Sequence, residues 1–227
     1  MIKLPDINKA FQYENNFYLT CVNQRIEKIL TQYKLFEKTL GIPGTIIECG
    51  VFRGVSLIRL ATFRDLFSNP AAKKIIGFDT FTEYPEANSP SDKAHRENFI
   101  VGAGKDCITK PQLLSVFAMK GITNVELVEG NIVKTVPDYV KEHPELKISL
   151  LHLDCTMQTP TFTALKYFYN RIVSGGLLLL NGYGKTGVLG ETNAVDEFFG
   201  KSGVVIKKLA FSYSPCYVVK EHEYNNA

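Results

Sequence analysis

Glu48, Gly50, Asp79, Asn131, His152 and Asp154 are the residues whose types and spacing carry chemistry in this sequence. The run Ile46-Ile47-Glu48-Cys49-Gly50-Val51-Phe52-Arg53-Gly54-Val55-Ser56 is an apolar strand that opens through two glycines into a helix. At Gly50 the backbone is expected to turn sharply and approach a ligand where a Cβ would collide, and the helix start beyond it offers unpaired N–H groups. Phe52, Arg53 and Ser56 belong to the same candidate set. The spacing Glu-x-Gly-x-x-x-Gly lacks the full GxGxxG pattern that cradles a pyrophosphate. An acidic residue before the first glycine suits a ligand with a positive amino group, and S-adenosylmethionine (SAM) carries both an ammonium and a sulfonium.

Asp79 closes the run KKIIGFD. A carboxylate at the end of a second strand can accept hydrogen bonds from both ribose hydroxyls of an adenosine, with Thr80 beside it and Phe81 on the adenine face. Glu129-Gly130-Asn131 ends a third strand, and Asn131 or the Ile132 amide is the expected contact to the adenine edge. Asp154 follows LLHL and should emerge at the carboxyl end of a fourth strand, where ligands bind in open α/β sheets. His152 lies two positions earlier on the same face, read first as a core histidine and second as a base. Of the remaining histidines, His95 alone is placed to reach a substrate; His143 and His222 read as surface residues.

These residues need a scaffold, and the chain supplies an alternating one. Short apolar runs, TIIEC, KKIIGFD, NVELVEG, KISLLHLD and GGLLLLN, alternate with helical stretches beginning near Val55, Lys110, Lys134 and Pro160. Strands apolar on both faces are covered by helices on both sides, which makes a parallel doubly wound sheet. A further helix near ETNAVDEFFG precedes GVVIKKLA and SPCYVVK, which are too close for a crossover helix and should pair antiparallel. The expected fold is α/β, a Rossmann-like, mostly parallel seven-stranded sheet of the class I methyltransferase type with a C-terminal antiparallel hairpin. The segment 1–44 reads as an N-terminal helical extension, with one long helix from Phe17 to Leu40. The segment 80–109 breaks the alternation with Pro85, Pro90, Gly102 and Gly104, and is read as a lid over the site.

Length and composition agree with one soluble domain over 1–227. The 227 residues are 45% hydrophobic and 22% charged, with a net charge of +3, too small and too scattered to suggest nucleic acid. Five widely spaced cysteines without a CxxC fit reduced thiols and a cytoplasmic compartment. No apolar run reaches the ~20 residues of a membrane span, and no signal pattern opens the sequence.

Taken together, ENNFYLT, GIPGTIIECGVFRGVSL, KIIGFDTF, VELVEGNI, ISLLHLD, PTFTALKYFYNRIVSGGLLLLNGYG and GETNAVDEFF resemble the macrocin O-methyltransferase family from Tyr13 to about Lys220. The resemblance implies methylation of a hydroxyl on a sugar or other natural-product or glycan substrate, with SAM as cofactor and a divalent magnesium-type cation in most members. It further implies SAM contacts from Glu48, Gly50, Asp79 and Asn131, with Asp154 beneath the methionine end. The departures lie at the chemical end. The family reads Asp-x-Asp-x-Tyr after the fourth strand and Asp-Asp-Tyr-Gly after the fifth; here the runs are Asp154-Cys155-Thr156-Met157-Gln158 and Asn181-Gly182-Tyr183-Gly184. Asp154 with the Asn181 amide oxygen is a poor magnesium site, so weak metal binding or none is expected. The general base is then Asp154, with His152, His95 and Tyr183 behind it. Two functions follow: an O-methyltransferase on a small sugar-containing molecule with little or no metal requirement, or a SAM-binding protein altered in catalysis with a structural or regulatory role. A nucleotide-binding oxidoreductase ranks last. A homodimer or larger homo-oligomer is compatible with the amphipathic N-terminal segment.

Overall fold

The computed structural model describes residues 2–87 and 89–221; His222 lies outside them. Helices α1 (Ala10–Thr20) and α2 (Asn23–Glu37) precede β1 (Thr45–Cys49) and α3 (Val55–Phe67). Next come β2 (Ile75–Asp79), α4 (Pro90–Ala103), α5 (Lys110–Met119), β3 (Val125–Glu129) and α6 (Ile132–Glu142). The chain continues through β4 (Ile148–Leu153), α7 (Gln158–Phe168), β5 (Ile172–Leu180), α8 (Leu189–Phe199) and β6 (Cys216–Val219). The sheet order is β3-β2-β1-β4-β5-β6, parallel except for β6, which runs antiparallel to β5.

Alternate strand residues feed two cores. Ile47, Cys49, Leu151, Leu153, Leu178 and Leu180 pack with α6, α7 and α8 through Val136, Leu165 and Val195. Ile46, Leu150, Leu177 and Leu179 pack with α2, α3 and α5 through Phe36, Leu57 and Leu113. This double burial is why the strands read as continuous apolar runs. The amino end of the sheet is tied by two buried cations. Arg64 donates to the carbonyls of Lys73, Thr123 and Asn124, and Lys73 donates to those of Thr39 and Ile42. The carboxyl end is left for the site.

The structure corrects several expectations. The helix expected over 17–40 is two helices separated at Cys21 and Val22, and α1 buries none of its residues. The sheet has six strands: GVVIKKLA contributes only a bridge between Lys207 and Tyr217, with reciprocal 2.8 Å hydrogen bonds. The segment 80–109 contains α4, started by Ser89, whose side chain accepts from the Asp92 amide, and by Pro90 in the first turn. Among the described residues no helix is long and apolar enough to cross a membrane.

Candidate active site

The turn after β1 is held by the residue that ends β2. Asp79 Oδ2 accepts from Val51 N at 2.6 Å and Phe52 N at 2.9 Å, while Oδ1 accepts from Phe81 N at 3.0 Å and the Thr80 hydroxyl at 3.2 Å. Four donors engage the lone pairs of one carboxylate, so a ribose hydroxyl would share these sites. Gly50 has φ +89°, and a Cβ there would lie 2.5 Å from the Asp154 carbonyl oxygen. The close approach that requires glycine is therefore between the β1 and β4 turns, not only toward a ligand.

These turns border a cavity of about 160 Å³ lined by Gly50, Phe52, Asp79, Thr80, Asn131, Ile132 and Asp154 among others. Tyr84 and Asp92 enter it from the 80–109 segment. Tyr84 shares a 2.6 Å hydrogen bond with the Thr156 hydroxyl, stacks on Phe99, and has its phenol pushed up to about 12 by burial. The carboxylate of Asp92 accepts from Gln158 N, the first residue of α7, at 3.2 Å. Asn131 caps α6 by accepting from Val133 N. The cavity thus gathers the carboxylates of Asp79, Glu86, Asp92 and Asp154, a helix cap and apolar walls at the carboxyl ends of β1, β2 and β4, a lining that fits a cationic nucleoside such as SAM.

Several expected ligand contacts sit elsewhere. Phe81 is 1% exposed and packs in the core with Ile108 and Leu113. Arg53 donates to the carbonyls of Ala103 (2.6 Å) and Asp106 (3.4 Å), clasping the end of the 80–109 segment. Glu48 and His152, register partners on β1 and β4, are fully buried. Ser56 donates to Glu48 Oε1, and His152 Nδ1 lies 3.1 Å from the same oxygen, off the line of a hydrogen bond; Glu48 Oε2 and His152 Nε2 have no protein partner among the described residues. None of these five is among the residues lining the cavity. Tyr183, a candidate base, turns its hydroxyl to Asp196 on α8 at 2.9 Å. His95 sets Nδ1 3.0 Å from the Gly187 carbonyl, joining α4 to the loop after β5.

Asp154 is the carboxylate that remains at the chemical end. Asn181 donates its amide nitrogen to Asp154 Oδ1 at 2.5 Å, and the Lys28 ammonium on α2 stands 3.7 Å from Oδ2. The Asn181 orientation follows from Asp154, whose carboxylate oxygen needs a donor; the Ser214 hydroxyl donates to the Asn181 main-chain carbonyl at 2.6 Å. Burial lowers the pKa of nearby Lys185, which also feels the charge of Asp154. Behind them Glu191 is fully buried on α8. Its Oε1 accepts from Gly182 N at 2.7 Å, and burial together with the charge of Asp154 raises its pKa to about 8.

Lys28 and Glu191 escaped the reading of the sequence. Glu191 shares a face of α8 with Ala194 and Val195, and an acid at helical spacing from apolar residues was the available signal. No local signal marks Lys28.

The donor set does not fit magnesium. Asn181 offers a donor toward Asp154, not the expected oxygen, Gly182 has no side chain, and an ammonium occupies the approach to Oδ2. Glu48, His152 and Asp154 do bring ligand atoms within 4.8 Å of one another. That mixed set is unlike the all-oxygen octahedron of a hard cation, and Glu48 Oε1 is already engaged by Ser56.

The family profile of Macrocin-O-methyltransferase (TylF) matches residues 19–207. The 8-demethyl-8-(2,3-dimethoxy-alpha-L-rhamnosyl)-tetracenomycin-C 4'-O-methyltransferase of Streptomyces olivaceus is 24% identical over 167 residues, 72% of this chain and 61% of the relative's length. The match therefore spans less than two thirds of that relative. Among solved structures, the calicheamicin methyltransferase CalS11 superimposes with a TM-score of 0.76 at 24% identity, covering 92% of this chain and 85% of the other. The O-methyltransferase NovP gives 0.70 at 17% identity, covering 87% and 81%. The likeness to these structures carries the fold, a class I methyltransferase sheet, and the profile match carries the family: the chain belongs to the macrocin O-methyltransferases.

Proposed function

We propose that this protein transfers a methyl group from SAM to a hydroxyl of a small sugar-containing molecule without requiring a metal, with Asp154 as the base. The observation that carries the reading is Asp154 itself: it lines the cavity and is held by Asn181 and Lys28 in an orientation fixed from two sides. SAM, when bound, supplies an activated methyl whose transfer forms a C–O bond as the C–S bond breaks and releases the hydroxyl proton. Asp154 accepts that proton. Lys28 and the Asn181 amide hold the carboxylate, which leaves its remaining lone pairs for the acceptor hydroxyl. Gly50, Asp79, Thr80, Asn131 and Ile132 line the cofactor end; Glu48, Ser56, His152 and Arg53 support that lining from outside the cavity. Much of the rate arises from holding the acceptor in line.

The family membership and the sugar-methylating relatives support the sugar as substrate class. Free cysteines at all five positions support a cytoplasmic setting, and exposed Phe11, Tyr18 and Leu19 on α1 support association of two or more copies.

Incubation with methyl-labelled SAM and a panel of sugar nucleotides and glycosides, with magnesium or with chelator, tests the reading. Label transfer equal in both conditions is expected; transfer abolished by chelator would sink the metal-free part. The second reading, a SAM-binding protein altered in catalysis, is favoured by one observation, the absence of carboxylates at Thr156, Asn181 and Gly182. Tight S-adenosylhomocysteine binding with no transfer to any acceptor would favour it.

A further inference from the structure

A second cavity, of about 390 Å³, opens between α1, α2 and α3 and has Lys28, the ion-pair partner of Asp154, among its lining residues. Arg25, Lys28 and Arg59 line it together with Thr20, Phe17 and Val22, and no carboxylate is among its lining residues. The three cations are unequally occupied. Lys28 leans toward Asp154, Arg59 donates to the Gln32 amide oxygen, and among the described residues the Arg25 guanidinium makes no hydrogen bond or ion pair. Burial lowers the pKa of Arg59, and the like charge of Arg25 lowers it further, while Glu48 behind the wall opposes the shift. Like charges facing one another across a concavity store repulsion that an anion relieves, and the walls concentrate their field in the opening. Guanidinium groups match the paired oxygens of a phosphate.

We infer that this cavity binds the phosphate end of the methyl acceptor, so that the substrate is a phosphate-linked sugar, such as a sugar nucleotide, and not a neutral glycoside. The inference rests on the methyltransferase reading above. Lys28 belongs to both places: it lines the cation cavity, and its ammonium stands 3.7 Å from Asp154. A sugar whose phosphate is held by Arg25 and Arg59 therefore extends past Lys28 and sets a ring hydroxyl against Asp154. The N-terminal helices are then part of the acceptor site, because both cavity walls contributed from before β1 come from them.

Calorimetric titration of the full chain loaded with S-adenosylhomocysteine tests this, using TDP-rhamnose, TDP, inorganic pyrophosphate, thymidine and methyl rhamnoside as probes. TDP-rhamnose and TDP are expected to bind, pyrophosphate to compete with them, and affinity to fall with added salt. Arg25→Glu, at an exposed position, is expected to weaken all the phosphate probes by about tenfold or more while leaving the melting temperature and S-adenosylhomocysteine affinity unchanged. The inference is overturned if methyl rhamnoside binds as tightly as TDP-rhamnose, if thymidine competes and pyrophosphate does not, or if Arg25→Glu leaves TDP affinity unaltered. Failure of the wild-type protein to bind S-adenosylhomocysteine is a separate result, and it would count against the methyltransferase reading itself.

Discussion

The carboxyl group of Glu191 fills the space that a side chain at Gly182 would enter: its Oε1 accepts the Gly182 amide at 2.7 Å, and Oε2 lies 2.8 Å from where a Cβ would sit. Val188 closes the same space at 2.7 Å. A carboxyl from α8 thus stands against the turn after β5. Gly182→Asp is expected to cost about 1–3 kcal/mol through overpacking, which lowers the melting temperature by roughly 2–4 °C per kcal/mol in a chain of this size. Adding Glu191→Ala should recover part of the loss, the Val188 contact remaining. A single variant that melts with the wild type would show that the contact has no energetic content.

The same residue makes stability depend on pH in a definite direction. The Glu191 pKa rises from 4.5 to about 8 in the folded protein, so between those values the native state holds a proton that the unfolded chain releases. Its contribution is fully present below about 4.5 and is lost as pH rises toward 8, with a slope of at most about 1.4 kcal/mol per pH unit. Glu191→Gln keeps an acceptor for the Gly182 amide and removes the titration. Urea unfolding between pH 5.5 and 8.5 should show the variant gaining on the wild type as pH rises; parallel curves would rule out a buried, protonated Glu191.

The parallel strands were legible because burial on both faces leaves only apolar runs, and IIGFD or ISLLHL can hardly be anything else between helices. Asp79 and Asp154 were legible because strand ends in such sheets face the ligand. What escaped reading depends on contacts between distant parts of the chain. Nothing at Cys21-Val22 marks a helix break: both residues are helix-compatible, and the α1–α2 bend follows from packing of α2 alone on the body. The α4 start at Ser89-Pro90 with Asp92 was a readable cap obscured by the surrounding prolines and glycines. GVVIKKLA lost its strand because only Lys207 meets Tyr217 at the sheet edge. The partners of Asp154, Lys28 and Asn181, stand 126 and 27 positions away in sequence, a separation that periodicity cannot bridge.

Asp79 joins stability to cofactor binding. Its two oxygens collect the amides of Val51, Phe52 and Phe81 and the Thr80 hydroxyl. In Asp79→Asn one oxygen becomes an NH2 group that must face N–H donors, leaving buried amides unpaired at a cost of about 1–3 kcal/mol. S-adenosylhomocysteine affinity should fall in the same variant because the β1 turn lines the cavity. Urea unfolding and calorimetry together check this: destabilisation with undiminished nucleoside binding would restrict Asp79 to a structural part.

Asp154→Asn separates chemistry from binding at the other end of the cavity. The amide preserves the shape of the carboxyl but cannot accept a proton, and its NH2 group would point toward either the Asn181 amide nitrogen or the Lys28 ammonium. Loss of a general base is expected to reduce kcat by about 10²–10⁴-fold. S-adenosylhomocysteine affinity should change only a few-fold, since the other cavity-lining residues of the cofactor end are untouched. A variant that retains full turnover would move the base elsewhere, and His95, which α4 carries within 3.0 Å of the Gly187 carbonyl, would be the next residue to replace.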